Sequence, residues 1–432
     1  MNLPARLTLF PILCNFVLSC SAQKKLTSFP QPGTVSHTAK AFPTDSFMLR
    51  ILHSYPAYFD TLLQSNETRN IQIIYTQIDR NEKGEPVLTD HFYNLNPSLY
   101  FYPASIVKLP TIALALQRIN ELNRPGLTKN STMITDASYG GQTAVYNDPT
   151  SPDGRPTIAQ YIKKILLVSD NDAFNRLYEF LGQEYINYNL HGMGYDSAQV
   201  IHRLDIFLPE DQNRATNPVS FYDSLNRRIY TKPLLKSMVP YQQRHTLLGT
   251  AHYKGDSLIN EPFDFSAKNR LDLYSLHSIL RSIIFPSAMP QKQRFNLTSE
   301  DYSFLRRYMG LYPRESSSPR YDTAFDDTYS NLLFYGGSGK PNPDIRIFNK
   351  EGDAYGFLTD AAYIIDVKHN VEFFLTATIN CNSDGIYNDD KYDYENVGYP
   401  FLKHLGEVFY QYELNRQRTH QPDLKQFVEN IK

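Results

Sequence analysis

Ser105 and Lys108, three positions apart in Tyr102-Pro103-Ala104-Ser105-Ile106-Val107-Lys108, have the types needed for nucleophilic catalysis. A serine hydroxyl needs a nearby base and a way to stabilise the anion it becomes. The apolar run Leu109 to Leu116 predicts a helix that begins here. Ser105 then sits at its first turn and Lys108 one turn on, on the same face. A desolvated lysine can act as the base, and the unpaired N–H groups of a helix start can hold the anion. The spacing alone is weak, because Ser21 and Lys24 repeat it in a polar stretch.

Two further groups follow in the chain. Thr157 can cap a helix through Ile158, Tyr161, Ile162, Ile165 and Leu166, which ends at Ser169-Asp170-Asn171. A second helix starts at once, with Phe174, Leu177, Tyr178 and Leu181 on one face and Gly182 as its stop. A hydroxyl and an amide in that turn can be aimed into a cleft, or Ser169 and Asp170 can simply cap the second helix. The other group is Lys350-Glu351-Gly352, on a strand preceded by Arg346-Ile347-Phe348-Asn349.

The elements that must carry these groups are read from periodicity. Ser46 to Leu63 has helical spacing interrupted by Pro56. Ile71 to Asp79, the turn Asn81 to Gly84 and Pro86 to Leu95 predict a hairpin leading into Ser105. Ile201 to about Phe221 reads as a long surface loop. Helices are expected over Ser266 to Phe285 and Asp301 to Leu311, an antiparallel meander over Ile345 to Lys350, Gly356 to Asp366 and Val371 to Asn380, and a last helix over Tyr399 to Arg416. The fold class is α+β: strands from both ends pair into one sheet with a helical block against it.

With 41% hydrophobic and 20% charged residues, the chain of 432 can bury a large core. A net charge of −2 and no basic run with interleaved aromatics argue against a nucleic-acid partner. No His, Cys and carboxylate cluster has ligand spacing, so neither a metal nor another cofactor is called for. The combination of 32 Tyr, 26 Phe and no Trp fits a packed core as well as sugar or peptide contacts.

Arg6 followed by the apolar run Leu7 to Leu18 predicts a secretory signal, too short to span a bilayer. Its end, Val17-Leu18-Ser19-Cys20, resembles a bacterial lipobox with Cys20 as the lipidated residue. Cleavage after Ala22 is the alternative. The expected organisation is a signal over 1–20, a flexible tether over 21–45, a domain over 46–416 and a polar tail over 417–432. The product is then exported, periplasmic or anchored to the outer membrane, touching a membrane only through its signal or lipid. With Cys20 lipidated, Cys381 has no partner for an intrachain disulfide.

Ser105-x-x-Lys108, Ser169-Asp170-Asn171 and Lys350-Glu351-Gly352, in that order, resemble the three motifs of class A β-lactamases and their penicillin-binding relatives. The resemblance spans roughly Ser46 to Arg416. It implies an exported serine hydrolase in which Ser105 is acylated, Lys108 activates it and Ser169 passes a proton to the leaving nitrogen. It also implies that Asn171 binds the substrate's side-chain amide and Lys350 its carboxylate. The N–H groups of Ser105 and of Asp353, just past Gly352, would form the oxyanion hole. The substrate would be a β-lactam or a D-alanyl peptide, and the alternatives are a D-alanyl peptidase or transpeptidase and a penicillin-binding lipoprotein without turnover.

Two departures accompany it. The loop Arg203-Leu204-Asp205-Ile206-Phe207-Leu208-Pro209-Glu210 resembles the family's omega loop, but Leu208 stands where hydrolysing members carry a glutamate. Glu210 or Asp211 is the possible substitute base. Glu351 replaces a Thr or Ser; a Lys350 free to face Ser105 would favour catalysis, and a Lys350–Glu351 ion pair in the cleft would favour binding alone. Stretches of about 223–265 and 285–342 exceed the family pattern and are expected to rim the cleft. Gly336-Gly337-Ser338-Gly339-Lys340 imitates a phosphate loop but has Pro341 where Ser or Thr is needed. Asn380-x-Asn382-x-Asp384-Gly385 imitates a calcium loop but has Lys391 at the closing position.

Overall fold

Five antiparallel strands form the central sheet, in the order Ile345–Ala354, Phe357–Asp366, Val371–Asn380, Gln72–Arg80 and Pro86–Tyr93. The computed structural model describes residues 41–138, 141, 143–429 and 431. The N-terminal hairpin joins the C-terminal meander by pairing Ile73 with Ala377 and Tyr75 with Leu375. The expected α+β architecture is therefore the observed one.

Alternating side chains on Gln72–Arg80 enter different cores. Ile74 and Ile78 face the helical block, whereas Ile73 and Tyr75 face the terminal helices with Met48, Leu52, Phe401 and Leu405. Both faces are covered, so every residue of Phe357–Asp366 is buried, Asp360 and Asp366 included. Pro56 stops one helix, Ser46–His53, and opens the next, Pro56–Gln64, at the position where a missing N–H costs nothing.

Lys108–Leu122 runs through the middle of the helical block and is buried over most of its length. Ile158–Val168 and Asn171–Leu181 pack beside it. Thr157 caps the first of these by accepting from Gln160 N at 3.0 Å, as its position predicts. Leu273–Ile284 and Ser299–Gly310 complete the block, the latter opened by a reciprocal cap between Thr298 and Asp301.

Three expectations are corrected. The stretch Ile201 to Phe221 is not a surface loop, because Ile201, Arg203, Leu204, Asn213, Ala215, Asn217 and Val219 are buried, and it contains the helix Glu210–Arg214 and the strand Val219–Tyr222. The segment after Arg416 is not a free polar tail. Leu424, Phe427 and Ile431 return to the core, and the ring of Phe427 lies 5.1 Å from that of Tyr363. The end of the expected tether is also held: Phe42 N donates to Leu95 O at 2.8 Å and Asp45 caps the first helix. The signal, Cys20 and the rest of the tether lie outside the described residues.

Candidate active site

Ser105 lies in a single 3-10 turn, Ala104–Val107, that runs directly into the helix Lys108–Leu122. Ala104 takes a left-handed φ of 44°, a conformation that costs an L-residue about 1 kcal/mol or more. The strand Ile345–Ala354 presses on this turn from the open edge of the sheet. A Cβ on Gly352 would stand 2.8 Å from Ser105 N and 2.8 Å from Pro103 O, so only glycine lets the strand approach the nucleophile this closely.

Lys108 is fully buried, and its Nζ lies 2.7 Å from Ser105 Oγ and 2.6 Å from Asn171 Oδ1. Ser169 O takes a third contact from the same nitrogen, and Ser169 Oγ lies 3.4 Å away. Burial pushes the Lys108 amine well below its usual range, and the nearby charge of Lys350 pushes it the same way. A neutral amine has two N–H groups and one lone pair. Ser169 O and Asn171 Oδ1 can only accept, so they take the two N–H groups. In the neutral form the lone pair would be left for the hydroxyl of Ser105 to donate to.

Ser169 reaches this position because it ends one helix and does not begin the next. It adopts the left-handed φ of 58° after Ile158–Val168, while Asp170 caps Asn171–Leu181 by accepting from Ala173 N at 2.7 Å. The two roles left open by the sequence are thus divided between adjacent residues. The freed Ser169 hydroxyl accepts from Lys350 Nζ at 2.8 Å. Ser105, Lys108, Ser169 and Lys350 form one chain of hydrogen-bonding groups across three elements.

Glu351 closes that chain. Its Oε2 lies 2.9 Å from Lys350 Nζ, and both side chains are buried. Burial raises the Glu351 carboxyl, but the charge and hydrogen bond of Lys350 outweigh it and hold the group below its usual range. Consecutive strand residues point to opposite faces, so the two can meet only at the open edge, beside the cleft. The ion pair that would favour binding over turnover is therefore present, although the same lysine also holds Ser169.

Asp353 lies one residue beyond Gly352, near the end of the edge strand. Its carboxyl is raised, first by poor solvation in the cleft and then by Glu351. Behind the strand, Asp360 stands opposite Glu351 and accepts from Asn349 Nδ2 and Leu333 N, each at 2.9 Å. Its carboxyl is fully buried and pushed up to about 7.

Glu210 and Asp211 are not brought to Ser105. Glu210 pairs with Arg214 at 2.8 Å and Asp211 with Lys236, and both carboxylates are more than half exposed. Leu208 instead packs toward Gly141, where an added Cβ would meet it at 2.7 Å. The loop is closed at its neck by a buried ion pair between Arg203 and Glu179, and Glu179 also accepts from Asn217 N. Sequence periodicity gave no sign of this pair, whose partners lie on different elements.

The extra stretch of 223–265 packs, through Phe263, on rings that reach Tyr102, three residues before Ser105. Phe263 stacks 5.6 Å from Tyr355, and Tyr355 meets Tyr102 edge-on at 5.0 Å. Asn331 and Leu333, from the stretch of 285–342, support the site strand from behind through Asn349 and Asp360. The imitation calcium loop spends Asn380 Oδ1 and Asp384 Oδ1 on backbone N–H groups of Asn382 and Ile386. Among the described residues, no group of His, Cys, Asp and Glu is arranged to hold a metal ion.

Residues 57–237 match the profile of the beta-lactamase enzyme family, a span that includes Ser105, Lys108, Ser169 and the loop at Arg203 but ends before Lys350. No curated protein matches the chain. Similar solved structures include a beta lactamase from Xanthomonas campestris pv. campestris, 14% identical with a TM-score of 0.43, covering 83% of this chain and 98% of that one. A beta lactamase from Burkholderia vietnamiensis is 12% identical with a TM-score of 0.44, over 84% of this chain and 98% of that one. A beta-lactamase from Sphaerobacter thermophilus is 11% identical with a TM-score of 0.40, over 83% and 96%. A β-lactamase-like region thus carries the first two motifs of the site.

Proposed function

We propose that this chain is an exported serine acyl hydrolase of the class A β-lactamase-like kind, in which Ser105 Oγ takes the acyl group of a β-lactam or a related cell-envelope amide. The observation that carries this reading is the contact of 2.7 Å between Lys108 Nζ and Ser105 Oγ, with two acceptor-only groups consuming the amine's own protons. Lys108 removes the Ser105 proton as Oγ attacks the carbonyl carbon. Backbone N–H groups of Ser105 and Asp353 are the oxyanion donors in this scheme. The C–N bond then breaks, Ser169 gives its hydroxyl proton to the leaving nitrogen, and Lys108 returns the proton it took to Ser169.

A second reading is supported by the loop after Arg203. Glu210 and Asp211 are engaged in surface ion pairs and Leu208 has no acid–base chemistry, so neither of these two carboxylates supports hydrolysis of the acyl-serine. In that reading the acyl group stays on Ser105, or passes to an amine as in a D-alanyl transpeptidase. Lipidation of Cys20 belongs to the same proposal and predicts fatty-acid labelling that Cys20→Ala abolishes.

Intact-mass spectrometry over time with a penicillin, beside Ser105→Ala, tests the proposal. An adduct on Ser105 that decays supports hydrolysis, and one that persists supports the penicillin-binding reading. Absence of any adduct with penicillins and D-alanyl esters would overturn the catalytic assignment.

A further inference from the structure

Among the described residues four arginines are buried: Arg80, Arg176, Arg203 and Arg270. Three of them meet carboxylates, on Glu372, Asp172 and Glu179 respectively. Arg270 does not. Its guanidinium lies 4.2 Å above the ring of Tyr100 and donates to Thr246 Oγ1 at 2.8 Å. Burial lowers Arg270 to about 10, and the like charge of nearby Arg244 pushes it the same way.

A buried cation without a counter-charge is costly, and two side by side are more so. Arg244 donates to Gln242 Oε1 at 2.6 Å and to Ser197 O at 3.3 Å, both uncharged acceptors. Arg244 Nε and Arg270 Nε are buried with no hydrogen-bond partner, and so is Gln199 Nε2. Gln199 and Arg270 exchange backbone hydrogen bonds of 2.8 Å as a directly opposed pair, which places their side chains on the same side. Three unpartnered donors and two positive charges gather where the recorded acceptors, Thr246 Oγ1, Gln242 Oε1 and Ser197 O, are all uncharged. A planar or tetrahedral oxyanion supplies what is missing: negative charge and several acceptor oxygens for forked guanidinium donors.

We propose that Arg244, Arg270 and Gln199 form a binding site for a compact oxyanion, a carboxylate or phosphate group. Its walls are Tyr100, in the segment leading to Ser105, and Thr246, in the expanded stretch of 223–265. This gives the expansion a function of its own, because Arg244 and Thr246 are both carried by it. The Lys350 charge in the catalytic cleft is already answered by Glu351, whereas Arg244 and Arg270 have no recorded carboxylate partner among the described residues.

The test is thermal unfolding of the whole protein with inorganic phosphate or succinate against chloride at matched ionic strength, for wild type, Arg244→Gln and Arg270→Lys. Wild type should show a saturable rise in midpoint with phosphate, succinate or both. In Arg244→Gln the apparent affinity should fall at least tenfold, while the midpoint without anion stays level or rises because repulsion between the guanidiniums is relieved. Arg270→Lys keeps the charge but loses the fork, and should weaken binding without abolishing it. Phosphate and succinate that act no differently from chloride, or full binding in Arg244→Gln, would overturn the site. Adding phosphate during Ser105 acylation then separates the sources: competition assigns the oxyanion to the acyl donor, and independence assigns it to a separate ligand.

Discussion

Glu351 lies 2.9 Å from Lys350 Nζ inside the cleft, in the place where an incoming carboxylate would have to bind the same lysine. In the proposed scheme an anionic substrate must displace or crowd Glu351, at the cost of a buried charge-assisted hydrogen bond, whereas a neutral one need not. Glu351→Thr frees Lys350 and removes the repelling charge. Ser105 labelling by a penicillin should become about tenfold faster, corresponding to roughly 1.4 kcal/mol, with little change for an uncharged activated ester. Stopped-flow acylation with both probes measures this; equal rates with penicillin in the two proteins would show that Glu351 does not guard the cleft.

Lys350 also acts on Lys108 across Ser169, adding to burial in lowering the Lys108 amine and so favouring its neutral form. Acylation needs that neutral form, so its rate rises with pH through the Lys108 pKa. Lys350→Gln removes the positive charge, raises that pKa and should move the midpoint of the profile to higher pH. The measurement is the pH dependence of Ser105 acylation by an uncharged ester, which does not depend on Lys350 for binding. An unmoved midpoint would mean that burial alone sets the Lys108 amine.

The grouping of Ser105, Lys108 and Ser169 was legible because the proposed chemistry constrains both type and spacing. Ser105 and Lys108 had to share a helix face, and Ser169 had to end a helix, both of which periodicity reports. Side chains that meet across elements were not legible. Nothing local links Arg203 to Glu179, or Glu351 to Asp360 on the neighbouring strand. In the last segment the signal was present in Leu424, Phe427 and Ile431, spaced as one helical face, but surrounding polar residues concealed it. Arg244 and Arg270 meet only because the Gln199 bridge and the Thr246 loop bring distant stretches together.

Asp360 makes the sheet behind the site sensitive to pH. Its carboxyl is raised from the ordinary 3.8 to about 7, mainly by burial, so the folded protein holds this proton over a range in which the unfolded chain releases it. The sign follows from linkage: the stabilisation is full below about 3.8, declines as pH rises, and is lost above about 7. Asp360→Asn cannot titrate and should flatten that part of the stability profile, whatever uniform change accompanies it. Urea unfolding of both proteins at a series of pH values reads the slope; an unchanged slope in the variant would assign it to other groups.

In the proposed scheme Leu208 stands where the resemblance places the water-activating glutamate, and so bears on the fate of the acyl-serine. Hydrolysis requires a base that orients and deprotonates a water, and positioned general bases contribute roughly 10²–10⁴-fold. Glu210 and Asp211 cannot serve from where they stand, since each is held in an exposed ion pair with Arg214 or Lys236. Leu208→Glu should shorten the lifetime of the penicillin adduct on Ser105 by at least about tenfold, leaving its rate of formation nearly unchanged. Glu210→Gln and Asp211→Asn should leave that lifetime as it is. The decay of the adduct by mass spectrometry discriminates these outcomes. A short lifetime in wild type that lengthens in Glu210→Gln or Asp211→Asn would show that the loop rearranges on acylation to supply its own base.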